Sequence, residues 1–199
     1  MSYVNEEEIR KITLSLIGKF DSVNRVKTFM FEDVEKTIVL ADMGKGAPNF
    51  MIALALCAYT EYWGRLLMGI PKDKSEECFL AFFKELGPKY TKLAQRRDLQ
   101  YRTKNGKTKS KIYQDVRCGL AHSYMVEGKA YIHLGKELPL DVCGVQYDAT
   151  TNTYIFNIIP YFKDFKRAIN GYLSRLTTKL DTEEIRKFVK ALEGKPTLF

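Results

Sequence analysis

The chain has 199 residues, 45% of them hydrophobic, with 12 Tyr, 12 Phe and a formal net charge of +8. That is enough apolar material for one packed core and too little length for two domains to be expected; the aromatic content and a 28% charged fraction exclude a disordered or low-complexity chain. A single domain spanning residues 1–199 is the expectation.

The N-terminal stretch MSYVNEEEIRK is acidic where a secretory leader is basic, and no apolar region comes after it. The longest apolar run, FMIALALCAY, meets Glu61 well before the roughly 20 residues a membrane span needs. A soluble, cytoplasmic protein without membrane association is expected. Cys57, Cys78, Cys118 and Cys143 lie far apart with no C-x-x-C pair, which speaks against a zinc ribbon or redox dithiol and for reduced, mostly buried thiols; no metal or cofactor is called for.

In chain order, Ile9, Ile12, Leu16, Phe20, Val23, Val26, Met30, Val34 and Ile38 recur at helical spacing, which predicts one long helix or two consecutive ones over residues 5–40. The β-branched stretches RVKTFMF and KTIVLAD leave short strands open as an alternative beyond Gly18. ADMGKGAPN, with two glycines and a proline, is a connection, since it lacks the spacing of a phosphate-binding loop. A second helix of about 20 residues is expected from Asn49, which would cap it; this helix is apolar on nearly every side and so belongs inside a bundle. Its polar exceptions are Thr60, Glu61 and Arg65, the last two placed four apart to pair on the helix surface. SEECFLAFFKELGPKYTKL predicts a third helix, started by an incomplete capping box at Ser75 and broken at Gly87-Pro88.

Positive charge is concentrated in one stretch of the chain. Between Lys84 and Lys111 ten basic residues face two acidic ones, Glu85 and Asp98, so this segment carries the whole net charge of +8. Residues 94–110 contain few apolar side chains and an Asn105-Gly106 turn signal, and read as an exposed basic loop or ribbon. Such a segment suits a polyanion, with Arg96, Arg97, Arg102, Lys104, Lys107, Lys109 and Lys111 as candidate RNA-backbone contacts; a solvated loop that keeps the protein soluble is the plainer reading.

Apolar helix resumes at KIYQDVRCGLAHSYMV, where Ile112, Val116 and Leu120, with Tyr124 one turn further on, share a face. After Gly128 the period becomes two: KAYIHL, CGVQYD and NTYIFNI predict strands, with ATTN at 149–152 as a hairpin turn. His133, in the first of them, has no second ligand nearby and is read as a strand surface residue. YFKDFKRAINGYLSRL and DTEEIRKFVKAL complete the chain as two helices, the last capped by Asp181 or Thr182.

Arg117 and His122 could together cut RNA without a metal. Imidazole can take the proton of a ribose 2′-hydroxyl or protonate the departing 5′-oxygen, while guanidinium holds the phosphate and its developing charge, leaving a 2′,3′-cyclic phosphate. On an ideal helix, five residues place two side chains about 140° apart, so the pair needs a local distortion, the reach of the arginine, or a second subunit. The plainer reading pairs Arg117 with Asp115 or Glu61 and lets His122 bond the last carbonyls of its helix; Cys118 as a nucleophile is a third possibility.

The stretch Arg117-Cys-Gly-Leu-Ala-His122-Ser-Tyr124, set in a helical frame at about residues 45–127 and 160–192, resembles the HEPN superfamily, whose signature is Arg-x4-6-His on a late helix. The resemblance implies a mainly α fold, an HEPN-like helical bundle, with a small β-hairpin or three-stranded insertion at about 129–159 between the motif helix and the C-terminal helices. It implies a metal-independent endoribonuclease of a defence or toxin–antitoxin system, acting as a homodimer. Arg117 and His122 would be the catalytic pair, Glu61 a supporting polar residue, and Tyr124 the tyrosine modified by a nucleotidyltransferase antitoxin. Many members carry Asn after the arginine where this chain has Cys118. The alternatives on the same frame are a non-catalytic RNA- or nucleotide-binding module and a structural or interaction protein.

Overall fold

The computed structural model describes residues 6–44, 48–70, 74–123, 130–139, 141–178 and 182–193; at 6–16, 122–123 and 182 it describes the backbone. The protein is mainly α-helical, with two small sheets between its helices.

Helix α1 (Glu6–Asp42) is continuous over 37 residues, so the strand alternative for its second half is not taken. Val23, Met30 and Val34 are buried, with Phe20, Val26, Phe31 and Ile38 packed beside them. A stripe that keeps helical spacing has one side to bury, and this outweighs the β-preference of individual Val and Thr residues.

Helix α2 (Pro48–Met68) lies in the middle of the bundle, against α1, α3 (Ser75–Glu85), α6 (Ile158–Thr178) and α7 (Thr182–Leu192). It starts at Pro48, whose missing N–H costs nothing in a first turn, so Asn49 falls inside the helix instead of capping it. At its end Gly69 adopts φ +70° and both Gly69 and Ile70 donate to the Arg65 carbonyl, at 3.0 and 3.2 Å. Where α2 crosses α3 the backbones nearly touch: a Cβ on Gly64 would lie 1.7 Å from the Cys78 carbonyl oxygen. Trp63, Phe79, Phe82, Phe83, Phe165 and Tyr172 fill the core around that crossing.

Helix α4 (Pro88–Gln95) comes after the Gly87-Pro88 break and leads through a single 3-10 turn (Arg97–Leu99) into an antiparallel ribbon, β1 (Gln100–Arg102) with β2 (Thr108–Ser110). Gly106, at φ +74°, donates to the Thr103 carbonyl at 2.9 Å, which closes the turn expected at Asn105-Gly106. The motif helix comes next, as a π-helical segment (Ile112–Cys118) continued by the short α5 (Gly119–Ser123).

The insertion is three-stranded: β3 (Ala130–His133), β4 (Val145–Asp148) and β5 (Thr153–Asn157) in the order β3-β5-β4. β4 and β5 form a hairpin about residues 149–152, with Asn152 at φ 54°, whereas β3 runs parallel to β5 on its other edge. Just before β4, Gly144 lets the sheet pack directly on α6: its carbonyl accepts from Asn157 N–H at 2.7 Å, and a Cβ there would lie 2.4 Å from Tyr161 Cα. Phe156 stacks on Tyr161 at 4.7 Å and joins the sheet to the same hydrophobic core.

Candidate active site and nucleic-acid interface

Around the motif the helix is wound more widely than an α-helix. The Gly119 N–H reaches back five residues to the Gln114 carbonyl as well as to Val116. Ile112, Val116 and Leu120 are all buried, at steps of four residues. A four-residue step drifts across an α-helix but holds its line where i→i+5 winding and α winding alternate. Burying those three side chains turns Arg117 towards α2.

Arg117 meets Glu61 there. Its Nε donates to Glu61 Oε2 at 3.0 Å and an Nη lies 2.8 Å from the same oxygen, while Arg65 donates to Glu61 Oε1 at 2.6 Å. The Glu61–Arg65 pair expected from four-residue spacing therefore forms, but inside the protein: the Glu61 side chain is 7% exposed against 27% for Arg65 and 22% for Arg117. Tyr113 places its ring 5.7 Å from the Arg117 Cζ, one helical turn away. Burial alone would raise the Glu61 carboxyl. Hydrogen bonds with Ser75 and Arg65 and the charges of Arg117 and Arg65 outweigh it and hold the group below its ordinary value of 4.5. Of the two acids expected as partners for Arg117, Glu61 is the one that forms this ion pair. Two guanidiniums on one carboxylate leave the cluster with an excess of one positive charge, and Arg117 retains its second Nη group with no partner among the described residues.

Burial disfavours the thiolate form at both neighbouring cysteines. Burial raises Cys118 above its ordinary value of 9.0, against the pull of Arg117, and pushes Cys57 up to about 12.

Two adjacent residues at the start of α3 connect this cluster to the basic ribbon. Ser75 is the first helical residue, not a cap, since Lys74 precedes it as N-cap without a side-chain bond; the Ser75 hydroxyl accepts from Arg65 at 3.2 Å. Glu76 accepts from the Ser110 N–H at 2.6 Å and from Lys109 Nζ, which fastens β2 to the bundle. No sequence motif marks Ser75 or Glu76 as functional; their one trace is an acidic residue in the first turn of a helix.

The seven candidate RNA contacts divide into two groups. Arg96 grips Asp98 through two bonds, at 3.1 and 2.6 Å, and lies 4.9 Å from the Tyr147 ring centroid. Lys109 holds Glu76, and Lys111 donates to the Asp98 carbonyl at 2.9 Å. Arg97, Arg102, Lys104 and Lys107 are exposed and have no ion pair among the described residues, and Tyr101 stands between them on β1, 36% exposed.

His122 falls on α5, one turn beyond the end of the π-helical segment, and only its backbone is described. Tyr124 lies outside the described residues. His133 is half exposed and sits 3.7 Å from Glu137. Among the described residues no helix is long and apolar enough to cross a membrane, and no group of three or more His, Cys, Asp or Glu side chains could hold a metal ion. No protein-family model, no curated protein and no solved structure matches this chain.

Proposed function

We propose that this protein binds RNA along the β1–β2 ribbon and cleaves it at Arg117 and His122 as a metal-independent endoribonuclease of the HEPN type. The observation that carries the reading is the junction at the start of α3, where Ser75 contacts the Arg65–Glu61–Arg117 cluster and Glu76 holds the ribbon whose exposed cations await a polyanion. An RNA backbone drawn to Arg97, Arg102, Lys104 and Lys107 is thereby brought towards the motif helix. The π-helical winding up to Cys118 supports the same reading, because such irregular turns are costly and are found frequently at functional sites.

In this mechanism Glu61 is a positioning residue: it fixes the Nε side of Arg117 and leaves the second Nη, unpartnered among the described residues, to hold a phosphate oxygen and the charge that grows on it. His122 moves the proton, as base to the 2′-hydroxyl or as acid to the leaving 5′-oxygen. The five-residue step leaves the π-helical segment after one residue and is otherwise α-helical, so the backbone positions of residues 117 and 122 lie well over 90° apart around the helix axis within one chain. A phosphate between them is reached by the length of the arginine or completed by a second copy. Under the HEPN resemblance, Tyr124 is the position that an antitoxin nucleotidyltransferase would modify, in a defence or toxin–antitoxin setting.

A second reading, a non-catalytic RNA-binding module, is favoured by the ion pair itself, since an arginine bonded to a buried carboxylate is also what a structural role produces. Incubating the pure protein with mixed RNA in EDTA separates the two. Cleavage leaving 2′,3′-cyclic phosphate ends, abolished by His122→Ala and by Arg117→Ala in variants that keep the wild-type circular dichroism, is expected. Cleavage that survives both substitutions sinks the assignment, and salt-sensitive binding without any cleavage establishes the second reading.

A further inference from the structure

Helix α1 buries one side against α2 and α7, and no other described element covers its opposite side. That outer side is not uniformly polar. Ile17, Phe29, Val39 and Leu40 are 58%, 59%, 58% and 47% exposed. With Gly18, Asp21, Arg25, Thr28, Glu32 and Lys36 they fall within about 140° of the helix circumference, a stripe about 36 Å long. A shallow groove runs along its middle, lined by Asp21, Asn24, Arg25, Thr28, Phe29 and Glu32.

The order of residues along the stripe is self-complementary. In an antiparallel pair related by a two-fold axis between Thr28 and Phe29, residues equally far from the axis on opposite sides face each other. Arg25 then faces Glu32 and Asp21 faces Lys36, each opposite in charge. Farther out Ile17 faces Leu40, and Gly18, with nothing within 4 Å of a would-be Cβ, offers room for Val39. Asp21 and Arg25 have no ion pair among the described residues, while Glu32 and Lys36 make only an exposed contact with each other at 3.1 Å. Pairing would convert that contact into a four-membered chain of alternating charge on each side of the axis. We infer that the outer face of α1 is a homodimer interface, occupied by the same face of a second copy running antiparallel about the Thr28–Phe29 axis. This inference does not rest on the cleavage reading, since none of these residues belongs to the motif helix or the basic ribbon.

Sedimentation equilibrium of the full chain at low ionic strength, with Arg25→Glu and Glu32→Arg variants, tests it. The wild type is expected to dimerise at micromolar concentration and to dissociate as salt is added. Each single reversal sets two like-charged pairs across the axis and is expected to weaken the dimer by about tenfold or more. In an equal mixture of the two variants, one copy carries acids at both positions and the other carries bases at both, so every pair across the axis is again opposite in charge. A heterodimer at least as tight as the wild type is expected from that mixture; circular dichroism melting confirms that each variant is folded. A wild type that stays monomeric to about 100 μM, far above the range of a specific interface, overturns the inference. So do single reversals without effect, or a mixture no tighter than its components.

Discussion

Around Glu61 two guanidiniums converge on one carboxylate that is 7% exposed, and each charge is held by at least one partner at 3.0 Å or less. Along the β1–β2 ribbon, Arg97, Arg102, Lys104 and Lys107 stand exposed with no ion pair among the described residues. Both regions are basic, but their charges act on different things. The first is committed to the fold, because a charge taken out of water must be paired or it destabilises the protein. The second contributes almost nothing to folding, because its charges stay in water. Lys109 and Glu76 mark the boundary between them, a cation from the ribbon bonded to an anion from the bundle.

The largest effect is expected at the backbone that positions the cluster. Gly64 precedes Arg65, and a methyl group in its place would overlap the Cys78 carbonyl oxygen at 1.7 Å. Alanine is better than glycine in a helix interior by about 1 kcal/mol, yet α2 and α3 would have to separate, so Gly64→Ala is expected to destabilise by about 3 kcal/mol or more in urea denaturation. A neutral or stabilising result would mean that the Arg65–Ser75 contact does not depend on that crossing.

Removing the acid comes second. Glu61→Ala leaves Arg65 and Arg117 facing each other and is expected to cost about 3 kcal/mol, Glu61→Gln about half that. The pH dependence has a definite sign. The folded-state value of Glu61 is below its ordinary 4.5, so the unfolded chain takes up the proton first; the stabilisation is present at neutral pH and declines as pH falls below about 4.5. Urea midpoints measured between pH 3 and 6 should fall less steeply for Glu61→Gln than for the wild type.

Local signals carry much of this architecture into the sequence. The unbroken helical stripe of α1, the Gly87-Pro88 break, the Asn105-Gly106 turn and the four-residue spacing of Glu61 and Arg65 are short-range features, and the structure has them. The hidden features depend on distant contacts. The parallel pairing of β3 with β5 sets Ala130 opposite Tyr154, and strand propensity says nothing about which edge a strand joins. Ser75 and Glu76 matter because Gly64 lets α3 approach α2, and no pattern within α3 announces that. The π-helical winding leaves only the spacing of Ile112, Val116 and Leu120 as its trace. A count of basic residues likewise cannot tell Lys107, which faces solvent, from Lys109, whose partner is 33 residues away.

That last distinction gives the smallest expected effect on folding and the most informative. Replacing Arg97, Arg102, Lys104 and Lys107 together by alanine removes four exposed charges with no ion pair among the described residues, and the urea midpoint is expected to change by no more than about 0.5 kcal/mol in free energy. Each phosphate contact with single-stranded RNA contributes about 0.7 to the slope of log affinity against log salt, so the quadruple variant should lose about 3 from that slope. Lys109→Ala should do the converse, loosening the ribbon from Glu76 with little change in slope. If instead Lys109→Ala lowers the slope as each exposed cation does, its charge is shared with the RNA and the boundary between the two regions moves to Glu76 itself. An unchanged slope in the quadruple variant would take the ribbon out of RNA binding altogether, and the net charge of +8 would then serve only to keep the chain in solution.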